Sequence, residues 1–183
     1  FILIPFYFLW KSDENFSYLE PVIRKNEPYI IGYAYNEANY KHLKWYNLMY
    51  FNKYNVVALG SSRVLQFRSQ MFDSSFFNAG YTVTEVPDYI SFLKSLSKDK
   101  YPNFLIIGFD QWLFKSKSSV LISTKKEFWT HSFRLLPTIQ TINNVWLDIF
   151  HKKYSTNILR DTPNILHIGI NARVNNKGFR NDG

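Results

Sequence analysis

Polar side chains follow short apolar runs at three places in this sequence, and the serines, the arginine and the carboxylate among them could perform acyl chemistry. The apolar runs are residues 56–59, 76–77 and 104–107. If they are parallel strands, their carboxyl ends share one edge of a sheet, which is where open α/β sheets bind ligands. The residues that follow the runs, and therefore form the candidate site, are Ser61, Ser62, Arg63, Asn78, Gly80 and Asp110.

The two serines follow Gly60, where a strand is expected to turn sharply into a helix. A serine at such a turn is a candidate nucleophile if a base activates it, and free backbone N–H groups there can stabilise an oxyanion. The alternative is that Ser61 or Ser62 only caps the helix. Arg63 could hold an anionic group or pair with a carboxylate such as Asp110.

The elements around these residues alternate between helix and strand, which predicts parallel strands joined by right-handed crossovers. Asn36 and Thr84 are the expected N-caps of two of the helices, and Pro87 fits the first turn of the second. The predicted buried stripe of that second helix is Val86, Ile90, Leu93 and Leu96. The predicted order is helix 36–54, strand 56–60, helix 63–71, strand 74–78, helix 84–97 and strand 104–108.

Outside this region the pattern is weaker. Residues 11–35 are interrupted by proline and predict a loop with one short helix or strand. A helix is expected from Ser132, with Pro137 in its first turn and an apolar period that includes Ile142 and Trp146. After Lys153 the chain is loop-like, apart from an apolar patch at 165–170.

The three strand ends resemble the motifs of the SGNH (GDSL-like) hydrolase superfamily. Residues 60–63 (Gly-Ser-Ser-Arg) are similar to the form found in membrane-anchored bacterial envelope proteins of that superfamily. Residues 78–80 match its Asn-x-Gly motif, and 108–110 stand in the place of its Gly-x-Asn motif. The resemblance covers about residues 55–113. It implies an α/β, three-layer flavodoxin-like fold with a parallel sheet that is incomplete at the C-terminus. It also implies that Ser62 is the nucleophile, with Ser61, Asn78, Gly80 and Asp110 lining the oxyanion site.

The sequence departs from the family pattern at three points. Val83 stands where the family often has an oxyanion glycine, and Asp110 stands where it has asparagine. An anionic Asp110 would repel an oxyanion, so it must be protonated or serve another role. The family's Asp-x-x-His base has no convincing copy: Asp148 and His151 have the spacing but fall in a predicted helix, so the base is expected beyond Gly183. His42, His131 and His167 are interpreted as structural or surface residues.

Composition limits the classes of function. The chain has 183 residues, enough for one domain, and its 17 Phe and 13 Tyr argue against disorder. The net charge is +8, but the basic residues are scattered apart from a mild cluster at 115–126, and no nucleic-acid motif is present. The absence of cysteine removes thiolate chemistry. No metal-ligand spacing is seen and no cofactor is expected.

The first ten residues are apolar throughout and end at Trp10, before Lys11. Ten residues cannot span a bilayer, which needs about 20, but they could be the end of a membrane anchor or, alternatively, a core segment. The predicted organisation is a possible anchor end at 1–10, a leading loop and helix at 11–54, and a partial SGNH-like domain at 55–183. The domain is then expected on the extracytoplasmic side of the membrane.

These observations predict a serine esterase or O-acyltransferase. Its substrate would be an acylated glycan or polymer of the cell envelope. The alternative is a non-catalytic envelope binding or assembly domain that retains the fold, because fold alone does not fix function.

Overall fold

The computed structural model describes residues 1–14, 19–25, 27–37, 39–51, 53–115, 137–154 and 165–183. The chain divides into two compact units. Unit 1 comprises Phe1–Glu37 and Ser132–Asn181, and unit 2 comprises Ala38–His131 and Asp182–Gly183. The helices and strands are α1 (Leu3–Lys11), α2 (Leu19–Lys25), β1 (Tyr29–Ile31), α3 (Asn39–Tyr50), β2 (Val56–Leu59), β3 (Phe76–Ala79), α4 (Val86–Ser95), β4 (Phe104–Ile107), α5 (Ile139–Phe150), β5 (Leu166–Ile168) and α6 (Ile170–Asn175).

Unit 2 contains a three-stranded parallel sheet in the order β3-β2-β4. The central strand pairs Val56 with Phe76 on one side and with Phe104 on the other. All four residues of β2 are buried, as expected for a continuous apolar strand covered on both faces. The predicted α/β class with parallel strands is therefore confirmed at this coarse level.

Unit 1 contains a two-stranded parallel sheet in which β1 pairs with β5. One short helix or strand was predicted for residues 11–35, which contain both α2 and β1, and the loop-like chain predicted after Lys153 is wrong for α6. Strands of three residues give too short a pattern to distinguish from an apolar loop. The apolar patch at 165–170 forms β5 and the start of α6.

The predicted helix 63–71 is replaced by two short 3-10 helices, Ser62–Gln66 and Ser69–Met71. The amide of Asn78 explains the difference, because it donates to the carbonyl oxygens of Val64 at 2.8 Å and Phe67 at 3.0 Å. Those carbonyls are therefore satisfied from the neighbouring strand, without a continuing α-helix. Sequence periodicity carries no information about such a bond.

Helix boundaries also differ from the predictions. Asn36 is not a helix cap: its side chain donates to the carbonyl oxygen of Glu14 at 2.7 Å, and α3 begins at Asn39. Glu85, rather than Thr84, caps α4, where it forms a reciprocal capping box with Asp88. Pro87 lies in the first turn of α4, as predicted.

The predicted buried stripe of α4 is confirmed at Leu96, its C-cap residue, and is wrong at Ile90, which is 40% exposed. Tyr89 and Phe92 lie on the buried side of the helix. Tyr89 turns inward because its hydroxyl donates to the carbonyl oxygen of Gly108 at the end of β4.

Helix α5 begins at Ile139 and not at Ser132, which lies outside the described residues. Its N-cap is Thr138, whose hydroxyl accepts from the N–H of Thr141 at 3.1 Å. Pro137 therefore precedes the helix, and its predicted place in the first turn is wrong. Ile142 and Val145 form the buried side.

The N-terminal apolar residues form α1, in which Pro5 and Leu9 are buried and most other side chains are exposed. Leu9 packs with Val145 and Ile170 in the core of unit 1. Within the ranges that the structure describes, no helix has both the length and the apolar character required to cross a membrane.

Glu14 is the main polar connection inside unit 1. One carboxyl oxygen accepts from the N–H groups of Ala34 at 2.7 Å and Tyr35 at 2.6 Å, and the other accepts from the N–H of Ile170 at 2.8 Å. Burial raises the pKa of Glu14 to about 7, against the lowering effect of these bonds. The side chain thus ties the loop after β1 to the start of α6.

We expect Glu14→Gln to destabilise unit 1 by about 1–3 kcal/mol at pH 8, where the carboxyl is ionised. The amide places two hydrogens where the wild-type oxygens only accept, so at least one N–H group loses its partner. Hydrogen exchange of the β5 amides measures this directly. Unchanged exchange would show that the carboxylate does not hold these segments.

Lys44 is the corresponding buried charge of unit 2. It is 1% exposed, and its Nζ donates to the carbonyl oxygen of Asn78 at 3.0 Å. Burial lowers the pKa of Lys44 to about 7, although the charge of Asp182 acts in the opposite direction. A lysine with a lowered pKa destabilises the fold at pH values where it must carry its charge.

Unit 2 should therefore become more stable as the pH rises from about 7 towards 10.5. In that window the unfolded chain binds a proton on Lys44 that the folded chain does not, which contributes at most about 1.4 kcal/mol per pH unit. The Lys44→Met variant should lose this rise in stability. Hydrogen exchange of the β2 amides between pH 7 and 10.5 measures the stability of unit 2 in the wild type and the variant. The same dependence of that stability on pH in the wild type and in Lys44→Met would contradict the role of Lys44.

Candidate active site at the strand ends of unit 2

In unit 2 the carboxyl ends of β2 and β4 lie side by side. The chain passes from β2 to β3 on one side, and β4 lies on the other side of β2. The segments that leave β2 and β4 therefore start next to each other at the carboxyl ends of the strands, where open α/β sheets bind ligands. Residues 60–63 and 108–110, predicted to form the site, are those two segments.

Three glycines at the strand ends make room for one side chain, Val64. A Cβ atom would lie 2.8 Å from a Val64 methyl at Gly60, 3.0 Å at Gly80 and 2.4 Å at Gly108. Val64 is buried and belongs to the same core cluster as Val56 and Ala58 of β2. The glycines thus let the turn that carries the serines close directly onto the ends of all three strands.

Ser61 is buried, and its hydroxyl donates to Oδ2 of Asp110. The same hydroxyl oxygen accepts from the N–H of Arg63 at 3.3 Å, so Ser61 is the N-cap of the 3-10 helix Ser62–Gln66. The capping alternative therefore applies to Ser61. Its side chain connects the end of β2 to the end of β4.

Asp110 is 4% exposed and also pairs with Arg63, whose Nε lies 3.1 Å from Oδ1. Oδ2 thus has a hydrogen-bond donor and Oδ1 has an opposite charge beside it, and a carboxylate can remain buried when it is paired in this way. The structure gives Asp110 a role other than oxyanion stabilisation: it anchors Ser61 and Arg63.

Asn78 and Gly80 are buried and support the turn from inside. The Asn78 amide donates to two carbonyls of the serine turn, and its Oδ1 accepts from the N–H of Gly80 at 2.8 Å. Both groups predicted to line the oxyanion site are therefore already hydrogen-bonded within the protein. They shape the site without offering free donors.

Ser62 differs from all of these residues. Its side chain is exposed, and within the described ranges no hydrogen bond to its hydroxyl is found. It directly follows the anchored Ser61 and precedes Arg63. Of the two serines, Ser62 is the one that a substrate can reach.

The carboxylate–histidine pair considered in the sequence is not formed. Asp148 accepts from the hydroxyls of Tyr35 at 2.7 Å and Tyr154 at 2.8 Å, and it pairs with Lys153. His151 follows α5 as its C-cap and is exposed. The interpretation of this spacing as non-catalytic is consistent with these contacts.

The two remaining histidines that the structure describes have other partners. His42 packs against Trp45 and Tyr46 on α3, and His167 bonds Ile165 and Asn176 in unit 1. His131 lies outside the described residues, as does most of the basic cluster at 115–126. Among the residues that the structure describes, no group of three or more His, Asp or Glu side chains could hold a metal ion.

Several residues at this edge were not expected from the sequence. Tyr89 braces the end of β4 through Gly108, and Val64 fills the space between the glycines. Tyr81 is 45% exposed and has a φ of 67°, a left-handed conformation that costs a non-glycine residue about 1–2 kcal/mol. The three glycines were a usable signal for Val64, whereas nothing in the sequence indicated the other two roles.

No protein-family model, no curated protein and no solved structure matches this chain. The strand-end geometry is therefore the basis for any functional assignment.

We expect Gly108→Ala to destabilise unit 2, because its Cβ would lie 2.4 Å from a Val64 methyl. Overpacking of this kind costs about 1–3 kcal/mol. Truncating the neighbour in the double variant Gly108→Ala/Val64→Ala removes the clash. The double variant should therefore lose less stability than the sum of the two single variants.

The free energy of unfolding in urea is to be compared for the wild type, Gly108→Ala, Val64→Ala and the double variant. Strictly additive losses would show that Gly108 and Val64 are not in contact.

Proposed function

We propose that unit 2 carries an SGNH-type serine esterase or O-acyltransferase site with Ser62 as its nucleophile. The observation that supports this most directly is the placement of Ser62. It is exposed at the carboxyl end of the central strand, and its neighbour Ser61 is fixed to the buried Asp110. A nucleophile held on a rigid turn is what acyl transfer requires.

In the proposed reaction the Ser62 hydroxyl oxygen attacks the carbonyl carbon of an ester. The bond from that carbon to the alcohol oxygen breaks, which leaves an acyl-Ser62 intermediate. A general base takes the hydroxyl proton and returns it to the departing alcohol. Water or a sugar hydroxyl then attacks the acyl carbon and the bond from that carbon to the Ser62 oxygen breaks. The base carries the proton of the attacking hydroxyl to the Ser62 oxygen, so the free serine is restored.

The proposed substrate is an acylated glycan or polymer of the cell envelope. Two aromatic side chains at the same strand ends support a flat, partly apolar ligand: Tyr81 follows Gly80 and Phe109 follows Gly108. They are 45% and 58% exposed. The exposed apolar side chains of α1, among them Leu3 and Trp10, support the further proposal that the protein is membrane-associated. Its place on the extracytoplasmic side is proposed from the resemblance alone.

A second candidate is a non-catalytic binding or assembly domain of the envelope. It is favoured by the polar groups around Ser62: the Gly80 N–H and the Asn78 amide are already bonded, and within the described part of the chain no histidine bonds either serine. Such a site would hold a ligand without activating Ser62.

A fluorophosphonate probe distinguishes the two, because it reacts covalently only with an activated serine. We expect it to modify Ser62 in the protein as its gene encodes it, in its native envelope fraction, with the modified residue identified by peptide mass spectrometry. The Ser62→Ala variant should lose the modification completely.

The matched control is Ser74→Ala, an exposed serine that precedes β3 at the opposite edge of the sheet, and labelling should persist in it. If a reference serine hydrolase is labelled under the same conditions and Ser62 never is, the nucleophile assignment is wrong and the binding domain is the better account.

A further inference from the structure

Arg63 presents an anchored guanidinium beside the proposed nucleophile. Its Nε pairs with Oδ1 of Asp110 at 3.1 Å, and the Asp110 side chain is only 5% exposed. The Arg63 side chain is 77% exposed, so one edge of the group meets a buried carboxylate while the rest faces solvent. This is a different arrangement from a surface ion pair in which both partners are mobile.

The guanidinium has N–H groups beyond the Nε that faces Asp110. Arginine carries five N–H groups in a planar fork, and Nε supplies one of them. The contact with Asp110 is an ion pair, and within the described ranges no hydrogen bond of this guanidinium is found. Because the side chain is 77% exposed, its Nη1 and Nη2 groups are accessible for a bidentate contact with a carboxylate or phosphate, the geometry that arginine binds best.

The position of the Arg63 Nη1 and Nη2 groups determines which part of a substrate they could bind. Arg63 is the residue after Ser62, and both side chains are exposed at the carboxyl end of β2. The net charge of +8 adds a long-range attraction for anions, while the Arg63–Asp110 pair is locally neutral. Selectivity would therefore come from the hydrogen-bond geometry of the fork and not from the local charge.

We infer that Arg63 is a specificity-determining residue that binds an oxyanionic group, a carboxylate or a phosphate, close to the ester attacked by Ser62. This inference deepens the proposed function and rests on it for the identity of the reacting ester. The substrate class then narrows to acyl esters on acidic polymers. Asp110 is the positioning residue that holds the fork.

Arg68 provides a matched control in the same turn. It is exposed like Arg63, but its Nη1 donates to the carbonyl oxygen of Leu65 and no carboxylate anchors its Nε in the described structure. If the positive charge of the surface alone attracted anions, both arginines would respond to added anions in the same way. If a site at the strand ends binds the anion, only Arg63 would respond.

The test is an NMR titration of the arginine Nε–H signals with inorganic phosphate and, separately, with acetate, at constant ionic strength in chloride. The Arg63 signal is assigned by its loss in Arg63→Lys. We expect it to shift and saturate with at least one of the two anions, while the Arg68 signal does not saturate. Saturation by phosphate alone assigns a phosphate-bearing polymer, and saturation by acetate alone assigns a carboxylate-bearing one.

The variants make the result independent of signal assignment. Phosphate or acetate affinity, measured through backbone amide shifts at the ends of β2 and β4, should fall at least tenfold in Arg63→Lys, which keeps the charge but loses the fork. It should be unchanged in Arg68→Lys. Equal loss in both variants, or no saturable shift with either anion, overturns the inference.

This titration reads binding and not turnover, so it separates the two proposals. Saturable binding at Arg63 without probe labelling of Ser62 supports the anion site and contradicts the esterase. Labelling of Ser62 without saturable binding supports the esterase and contradicts the role of Arg63.

Discussion

The buried contact between the Ser61 hydroxyl and the Asp110 carboxylate is the interaction on which the rest of the candidate site depends. The two residues follow the central strand β2 and its neighbour β4, so their bond fixes the distance between the segments that leave these strands. A buried carboxylate is tolerated only when hydrogen bonds or an opposite charge compensate it, and here the Ser61 hydroxyl donates to Asp110 and Arg63 forms an ion pair with it. Loss of either partner would leave a charge that the interior cannot stabilise.

The packing around this contact follows from it. Gly60, Gly80 and Gly108 carry no side chains, so Val64 can approach the strand ends and bring the serine turn down onto them. The Asn78 side chain, on β3, donates to the carbonyls of the same turn. These bonds take the place of hydrogen bonds of the α-helix that the sequence would otherwise favour. The contacts of Asp110 and Asn78 hold the turn against the ends of the strands. Ser61 therefore lies on its buried side and Ser62 on its exposed side.

The sequence revealed the parts of this arrangement that depend on local pattern. Continuous apolar runs of four residues identified β2 and β4, and the polar residues after them identified the candidate site. The alternation of elements predicted parallel pairing, which the sheet β3-β2-β4 has. The three-layer flavodoxin-like arrangement stays a proposal, because the described sheets have three strands and two.

What the sequence could not provide depends on contacts between distant residues. The choice between Ser61 and Ser62 as the buried serine depends on Asp110, which is 49 positions away from Ser61. The replacement of an α-helix by 3-10 turns depends on the side chain of Asn78. The strands of unit 1 have three residues each, and Glu14 joins segments separated by 156 positions. Periodicity and turn signals report on neighbours in sequence and carry no trace of these bonds.

The central claim is that Ser61 and Asp110 hold the two strand ends together, and a double-mutant cycle with Ser61→Ala and Asp110→Asn measures this most directly. The opening free energy of the β2 and β4 amides, obtained from native-state hydrogen exchange, is the quantity to compare. The account predicts a coupling free energy of about 1–3 kcal/mol between the two substitutions. A coupling of zero, with each variant losing stability independently of the other, would contradict it.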